Sequence, residues 1–290
     1  MNLNQLYRPI TATPFTEDET YMELEPCDAL KPYIRCFWGT KKPYTRSVAE
    51  EAKKSLIVPD TCMDIIFDVN YTENTVCDKF CGINDQSFTV SEDHGKGQCI
   101  STFAIRFYAW TAVLFSEEAM SGVKNAFFDA GYHFSRLKDQ LEPLLFDLTD
   151  IHSRAMAAER FLLRLLHPER ENRLVMEGIY EILRQKGSLK AGELGKTLHV
   201  STRQLERLFK ENIGISPKKM SSLIRFQYLW SDVVYQRDFQ IQDEIYKFGY
   251  TDQSHLLKDF KRFHTMTLKE AKQHALKEVA FLQEPVEKKM

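Results

Sequence analysis

Two stretches of this 290-residue chain share one pattern: residues 201–210, STRQLERLFK, and residues 252–261, DQSHLLKDFK. In the first, Leu205, Leu208 and Phe209 fall at i, i+3 and i+4, the spacing of one helix face. In the second, Leu256, Leu257 and Phe260 carry the apolar spacing. Ser201 stands before the first run as a good N-cap, and Thr251 or Asp252 stands before the second. Gly214 closes the first run with a residue type that turns a chain out of a helix. Each run follows a shorter apolar segment and a tight turn, His199-Val200-Ser201 in one case and Gly249-Tyr250 in the other. Helix, turn, then a helix with a polar and cationic outer face is the helix-turn-helix pattern. One copy has moderate specificity; two copies commit this part of the chain to an all-α domain.

Between the two units, Ser216-Pro217 opens a long amphipathic run over residues 218–235, and proline suits the first turn of a helix. Upstream, Leu174, Ile179, Ile182 and Leu183 predict a helix over residues 174–184, ended by Gly187. Charge follows the same division. Residues 1–171 hold 18 Lys+Arg and 26 Asp+Glu, whereas residues 172–290 hold 21 and 15. The half with the duplicated pattern is therefore the basic half, as a module that binds a polyanion requires. Chance variation between two domains is the plainer explanation of the same numbers.

The N-terminal half reads differently. Strands are predicted at residues 33–40, 56–58, 63–69, 80–83, 88–90 and 99–108, with turns between them. In the last, Cys99, Ser101, Phe103, Ile105 and Phe107 point one way and Ile100, Thr102, Ala104, Arg106 and Tyr108 the other. This predicts a small, cupin-like β-barrel or sandwich. A metal site in such a barrel needs clustered histidines, and residues 1–170 carry only His94, His133, His152 and His167, with no HxH pair. Asp60, Asp64 and Asp68 lack the glycine turn and closing Glu of a calcium loop. No GxSxG, P-loop or GxGxxG occurs, so neither an enzyme nor a cofactor is expected. An apolar pocket for a small effector is the better use of the domain, with Trp38, Arg106, Phe107, Tyr108 and Trp110 as candidate lining; the alternative is a plain aromatic core.

Short helices are predicted at residues 111–120 and 123–130, and two longer ones within 135–166, packing on the barrel or on a second subunit. Residues 167–173, HPERENR, read as a linker. All six cysteines precede residue 100; buried core thiols are the first reading and a thiol sensor the second. The N-terminus lacks the basic-then-apolar pattern of a signal peptide, and no stretch approaches the length of a membrane span. A cytoplasmic chain with no membrane partner is expected.

The residues Glu193-Leu194, Leu198, Val200-Ser201, Arg203, Leu205, Arg207, Phe209, Gly214, Ser216-Pro217 and Arg225 resemble the AraC/XylS family of bacterial transcription regulators. In the second unit the matching residues are Gly249-Tyr250, Asp252, Ser254, Phe260-Lys261 and Thr267. LIVPDTCMDIIF and FAIRFYAWTAVLF resemble, more weakly, a β-domain fused to some members. The resemblance implies an α+β chain: a β-rich effector-sensing domain (1–134), a helical dimerisation or linker region (135–173), and a DNA-binding domain (174–290) with units at 189–212 and 241–262. It also implies double-stranded DNA as partner, with RNA polymerase, a small effector and a second copy of the chain as further partners.

Two recognition helices would then enter successive major-groove segments. Arg203 and Arg207, four apart on one face, suit guanine, and Gln204 suits adenine. Gln253, Ser254, His255 and Lys258 hold the comparable positions in the second unit. Ser201, Thr202, Lys210, Lys218, Lys219, Lys261 and Arg262 are expected on phosphates. A salt bridge from Arg203 to Glu206 or Glu211 is the competing use of that side chain. The second unit departs from the family at Glu244-Ile245, Thr265, Leu268 and Ala271, which suggests a grip on backbone more than on bases. The alternatives of another class are a DNA-tethered thiol sensor or enzyme-like domain, and a dimeric DNA-binding protein with no ligand.

Overall fold

The computed structural model describes residues 3–10, 20–45, 47, 54–91, 97–189, 191–236 and 238–278. Among the described residues, a short helix α1 (Leu3–Leu6) is followed by nine strands: β1 (Tyr21–Leu24), β2 (Ile34–Thr40), β3 (Tyr44–Thr45), β4 (Lys54–Ile57), β5 (Cys62–Asn70), β6 (Thr75–Cys81), β7 (Phe88–Ser91), β8 (Cys99–Tyr108) and β9 (Phe127–Phe128). Seven form an antiparallel sheet in the order β1-β2-β8-β5-β6-β9, with β3 also on β8; β4 and β7 form a second, two-stranded sheet. Strand β8 is the centre because its alternation satisfies two faces at once. Phe103, Ile105 and Phe107 lie beside Phe67, Ile65 and Met63 of β5 on the core face. On the other face Arg106 stands directly opposite Asp64 and binds it through two nitrogens, at 2.7 and 3.1 Å.

Helices α2 (Gly131–Leu141) and α3 (Ile151–Leu165) close the core face. Phe134 stacks on Phe107 at 5.7 Å, and Leu137, Ala158 and Leu162 are fully buried. Asp150 caps α3 by accepting from the backbone N–H groups of His152 and Ser153.

Some expectations need correction. Residues 111–120 and 123–130 are not short helices: they hold one 3-10 turn (Ala112–Leu114) and strand β9. Gly122 and Asn125, both at positive φ, break the helical run between them. Strand β6 begins at Thr75 rather than Phe80; its first half is polar and half-exposed, so it lacked an apolar signal. Residues 167–173 are a held turn rather than a free tether. The His167 N–H donates to the Leu114 carbonyl at 2.9 Å, Arg170 donates to the Glu118 carbonyl at 3.1 Å, and Asn172 caps the next helix.

The remaining helices are α4 (Arg173–Arg184), α5 (Ala191–Thr197), α6 (Thr202–Ile213), α7 (Pro217–Tyr235), α8 (Ile241–Lys247), α9 (Gln253–His264) and α10 (Leu268–Glu278). Helix α7 is the axis of this region. It buries Leu223, Ile224, Phe226, Leu229, Trp230 and Val233. Phe226 stacks on Phe263 of α9 at 4.9 Å. Gly187, at φ +74, lets the turn after α4 approach α7 so closely that a Cβ would stand 2.3 Å from the Ser221 carbonyl.

The two halves share one apolar core, and a polar seam joins them. Gln227, buried on α7, bridges two segments of the N-terminal half. Its Oε1 accepts from the Ile10 N–H at 2.9 Å and its Nε2 donates to the Pro59 carbonyl at 2.7 Å. The Met120 N–H donates to the Glu211 carbonyl near the end of α6 at 2.8 Å. Gly214 follows at φ +87, where a Cβ would meet Val123 Cγ2 at 2.6 Å and the Met120 carbonyl at 2.8 Å. Ser87 donates through its N–H and its hydroxyl to the Phe263 carbonyl, at 3.0 and 2.6 Å.

Candidate nucleic-acid interface

The helix pairs α5–α6 and α8–α9 are built alike. Ser201 caps α6 by accepting from the Gln204 N–H, and Asp252 caps α9 by accepting from the His255 N–H. Helix α6 ends on Gly214 in the left-handed region, and α9 ends on Thr265 in that region at φ +67. A β-branched residue there is strained, so Thr265 keeps the turn that Gly214 gives the first unit and carries a backbone cost.

Both helices bury one face and expose the other. Leu205, Leu208, Phe209 and Ile213 are buried on α6; Leu256, Phe260 and Phe263 on α9. Outside stand Thr202, Arg203, Gln204, Arg207 and Lys210, and Gln253, Ser254, His255, Lys258, Lys261 and Arg262. It is Arg207, not Arg203, that pairs with Glu211, at 3.3 Å on an exposed surface. Arg262 pairs with Asp259 at 2.8 Å and stays half-exposed. His255 packs edge-on against Tyr250 at 5.2 Å. A depression of about 630 Å³ opens over Gly192, Gly195, Lys196, His199, Val200, Ser201 and Thr202, at the turn of the first pair. Lys218 is exposed on the first turn of α7. Lys219, expected on a phosphate, is instead bound to Asp85 of the N-terminal half at 2.6 Å. Asp85 is buried and also meets Lys124 and Asn125, so it holds the lysine inward.

The spacing of the two outer faces is set by α7 and its ties. Nineteen residues span about 28 Å at 1.5 Å per residue. Arg225 of α7 donates to buried Asp259 of α9 at 2.8 Å and lies over the Tyr250 ring at 4.4 Å. Arg262 and Tyr250 also donate to Asp259, so the carboxylate is well paired.

Residues 194–274 match the family described as a helix-turn-helix domain. The C-terminal region carries a helix-turn-helix domain. Residues 22–129 match a domain of unknown function, DUF6597. Among solved structures, a transcriptional regulator from Chromobacterium violaceum described as AraC-type compares at 21% identity and TM-score 0.31, over 36% of this chain and 96% of that one. ToxT from Vibrio cholerae O395 compares at 12% identity and TM-score 0.41, over 82% of this chain and 98% of its own. ToxT of strain SCE256, solved with an unsaturated fatty acid bound, compares at 9% and 0.40, over 93% and 99%. No curated protein sequence matches the chain.

The candidate effector residues are not gathered around one cavity. Trp38 and Arg106 meet at Asp64: the Trp38 ring N–H donates to it at 2.9 Å, and the Arg106 guanidinium lies 5.4 Å from the Trp38 ring. Phe107 points to the opposite face, into the core against Phe115 and Phe134. Tyr108 and Trp110 stack on one another at 5.3 Å near Tyr7, which touches Tyr228 of α7. Burial pushes the Cys36 and Cys81 thiols up to about 12 and the Cys62 thiol well up, so these three stay protonated at neutral pH. No described helix is long and apolar enough to cross a membrane.

Sequence reasoning missed Gln227, Asp85 and Glu244. Gln227 had a signal, being a lone amide inside Phe226-Gln227-Tyr228-Leu229-Trp230. Glu244 is buried on α8 beside Asp232 and Lys247. Burial, then a hydrogen bond with Asp232 and the charges of Asp232 and Asp243, push its carboxyl up to about 7, against the pull of Lys247. The unfolded chain ionises this group near pH 4.5, so between pH 4.5 and about 7 the folded state holds the extra proton and stability falls as pH rises. Glu244→Gln is therefore expected to raise stability on the order of 1–2 kcal/mol at pH 8 and to change little at pH 4. Urea unfolding at the two pH values checks this; equal shifts at both would contradict it.

Proposed function

We propose that this chain is a sequence-specific transcription regulator whose N-terminal domain senses a small effector and transmits its state to two DNA-reading units. The observation that carries the reading is the pairing of two exposed cationic recognition helices with a buried seam that ties the N-terminal half to α6, α7 and α9. Arg203, Gln204 and Arg207 read bases in the first unit; Gln253, Ser254, His255 and Lys258 do so in the second. Ser201, Thr202, Lys210, Lys218, Lys261 and Arg262 hold phosphates. Met156 and Leu163, exposed on α3 and seven residues apart, supply an apolar stripe for a homodimer.

An effector in the N-terminal half acts by differential affinity for two arrangements of the seam. The test is a fluorescence-anisotropy titration of duplex DNA at several salt concentrations. Log affinity is expected to fall linearly with log salt, and Lys218→Ala or Lys261→Ala each to reduce the slope by about 0.9. A salt-independent affinity, or no binding at low salt, would remove DNA as the partner.

A further inference from the structure

The first helices of the two reading units, α5 and α8, have seven residues each, and their fourth residues hold the same place. The Leu198 N–H donates to the Leu194 carbonyl and the Phe248 N–H donates to the Glu244 carbonyl, both at 3.0 Å. Leu194 and Glu244 are both buried. The second unit therefore puts a carboxylate where the first puts a leucine.

That carboxylate meets Asp232 of α7, and the two share one cation. Lys247 donates to Asp232 Oδ2 and lies 3.9 Å from Glu244 Oε2, beyond hydrogen-bond range. Among the described residues no donor reaches that Oε2. Asp243, on the same helix, adds a further negative charge. Helix α9, packed on α8, brings Asp259, already held by Arg225 and Arg262, and His255, which lies against Tyr250. Glu244, Asp232 and Lys247 thus leave one negative charge uncompensated at a buried helix junction. Ionised carboxylates only accept, so a proton on one of them supplies the missing hydrogen bond. Helix α8 has few other anchors: Ile245 and Phe248 are buried, and Gln240 makes no side-chain cap.

We propose that a proton held between Glu244 and Asp232 docks α8 on α7 and so sets the second reading unit, and that loss of this proton to solvent at mildly alkaline pH loosens that unit's grip on DNA. Glu244 is a positioning residue and acts through α8 and α9. The effect on DNA rests on the function proposed above; the opening of α8 does not. An opened α8 leaves Glu244 in water, where it ionises near pH 4.5, whereas the docked helix keeps the proton up to about pH 7. Docking therefore weakens as pH rises from 4.5 to about 7 and levels off above. Between pH 6 and pH 8 this amounts to about tenfold.

Hydrogen exchange of the α8 amides in the full chain without DNA, corrected for the chemical exchange rate at each pH, tests the opening. The wild-type protection factors are expected to fall about tenfold from pH 6 to pH 8. Glu244→Gln keeps the shape and donates to Asp232 as the proton did, so its factors are expected to stay level. Glu244→Leu, which restores the residue type of the first unit, serves if the amide variant does not fold. Anisotropy titration on the preferred duplex at fixed salt then reads the consequence: wild-type affinity is expected to fall by up to about tenfold over the same interval, and that of Glu244→Gln far less. Level protection factors in wild type overturn the proposal. So does an equal fall in wild type and Glu244→Gln, which would place the titration elsewhere, as on exposed His255. Opening of α8 with no change in wild-type DNA affinity overturns the link to reading. Absence of DNA binding at every pH would count against the proposed function and leave the opening of α8 standing.

Discussion

Replacing Gln227 with leucine is expected to lower the unfolding free energy of the full chain by about 2–4 kcal/mol. Leucine matches the bulk of the amide, so no large cavity opens and the loss is polar. The Ile10 N–H and the Pro59 carbonyl are both satisfied by this one side chain, and the contact is buried. Each group left unmet inside the protein costs about 1–3 kcal/mol, whereas each hydrogen bond made is worth only about 1 kcal/mol net. The asymmetry makes the substitution severe although a single residue on a helix is changed. Urea unfolding gives the free energy, and a shift in midpoint with an unchanged slope separates lost stability from a change in compactness. Asp85→Ala cuts the seam at Lys219, a third exposed, and is expected to cost less. A Gln227→Leu loss below about 0.5 kcal/mol, the ordinary scale of a surface change, would show that the seam is not a structural joint.

Arg207→Ala is expected to weaken binding to the preferred DNA sequence by about tenfold to a hundredfold, and binding to a scrambled duplex far less. The geometry for this contact is already present in the free chain. Arg207 stands on the exposed face of α6, one turn beyond Arg203, on a helix capped at Ser201 and stopped at Gly214. Its pair with Glu211 is exposed and must be broken on binding. Such a pair is worth about 0.3–0.5 kcal/mol, too little to cancel a bidentate contact to guanine worth about 1–3 kcal/mol. Parallel anisotropy titrations on the two duplexes check this. An equal loss on both would make Arg207 a phosphate contact, and no loss would remove it from the interface.

Much of this was legible in the sequence because periodicity and caps are local. The alternation of residues 99–108 marks β8 at its full length, and Leu205, Leu208 and Phe209 mark the buried face of α6. The caps at Ser201 and Asp252 stand where their side-chain chemistry places them. The seam was not legible, because its partners are far apart in the chain: Gln227 meets Ile10 and Pro59, and Ser87 meets Phe263. No window of sequence contains both halves of such a contact. Lys219 shows the same limit: a lysine at the start of a helix reads as a phosphate ligand until Asp85 is seen beside it. Arg35 reads as an ordinary strand residue, and only the register slip between β2 and β8 shows it to be the extra residue of a bulge. The polar first half of β6 was missed because half-exposed strands carry little hydrophobic signal.

The central claim is that two reading units, spaced by α7 and tied to one sensing domain, address one face of a duplex. Selection of bound sequences from a random duplex library by the full chain tests it most directly. Two conserved blocks are expected, with centres about one helical turn, 10–10.5 base pairs, apart, the block read by α6 degraded in Arg207→Ala and the other retained. A single conserved block, or two blocks that degrade together in that variant, would contradict it.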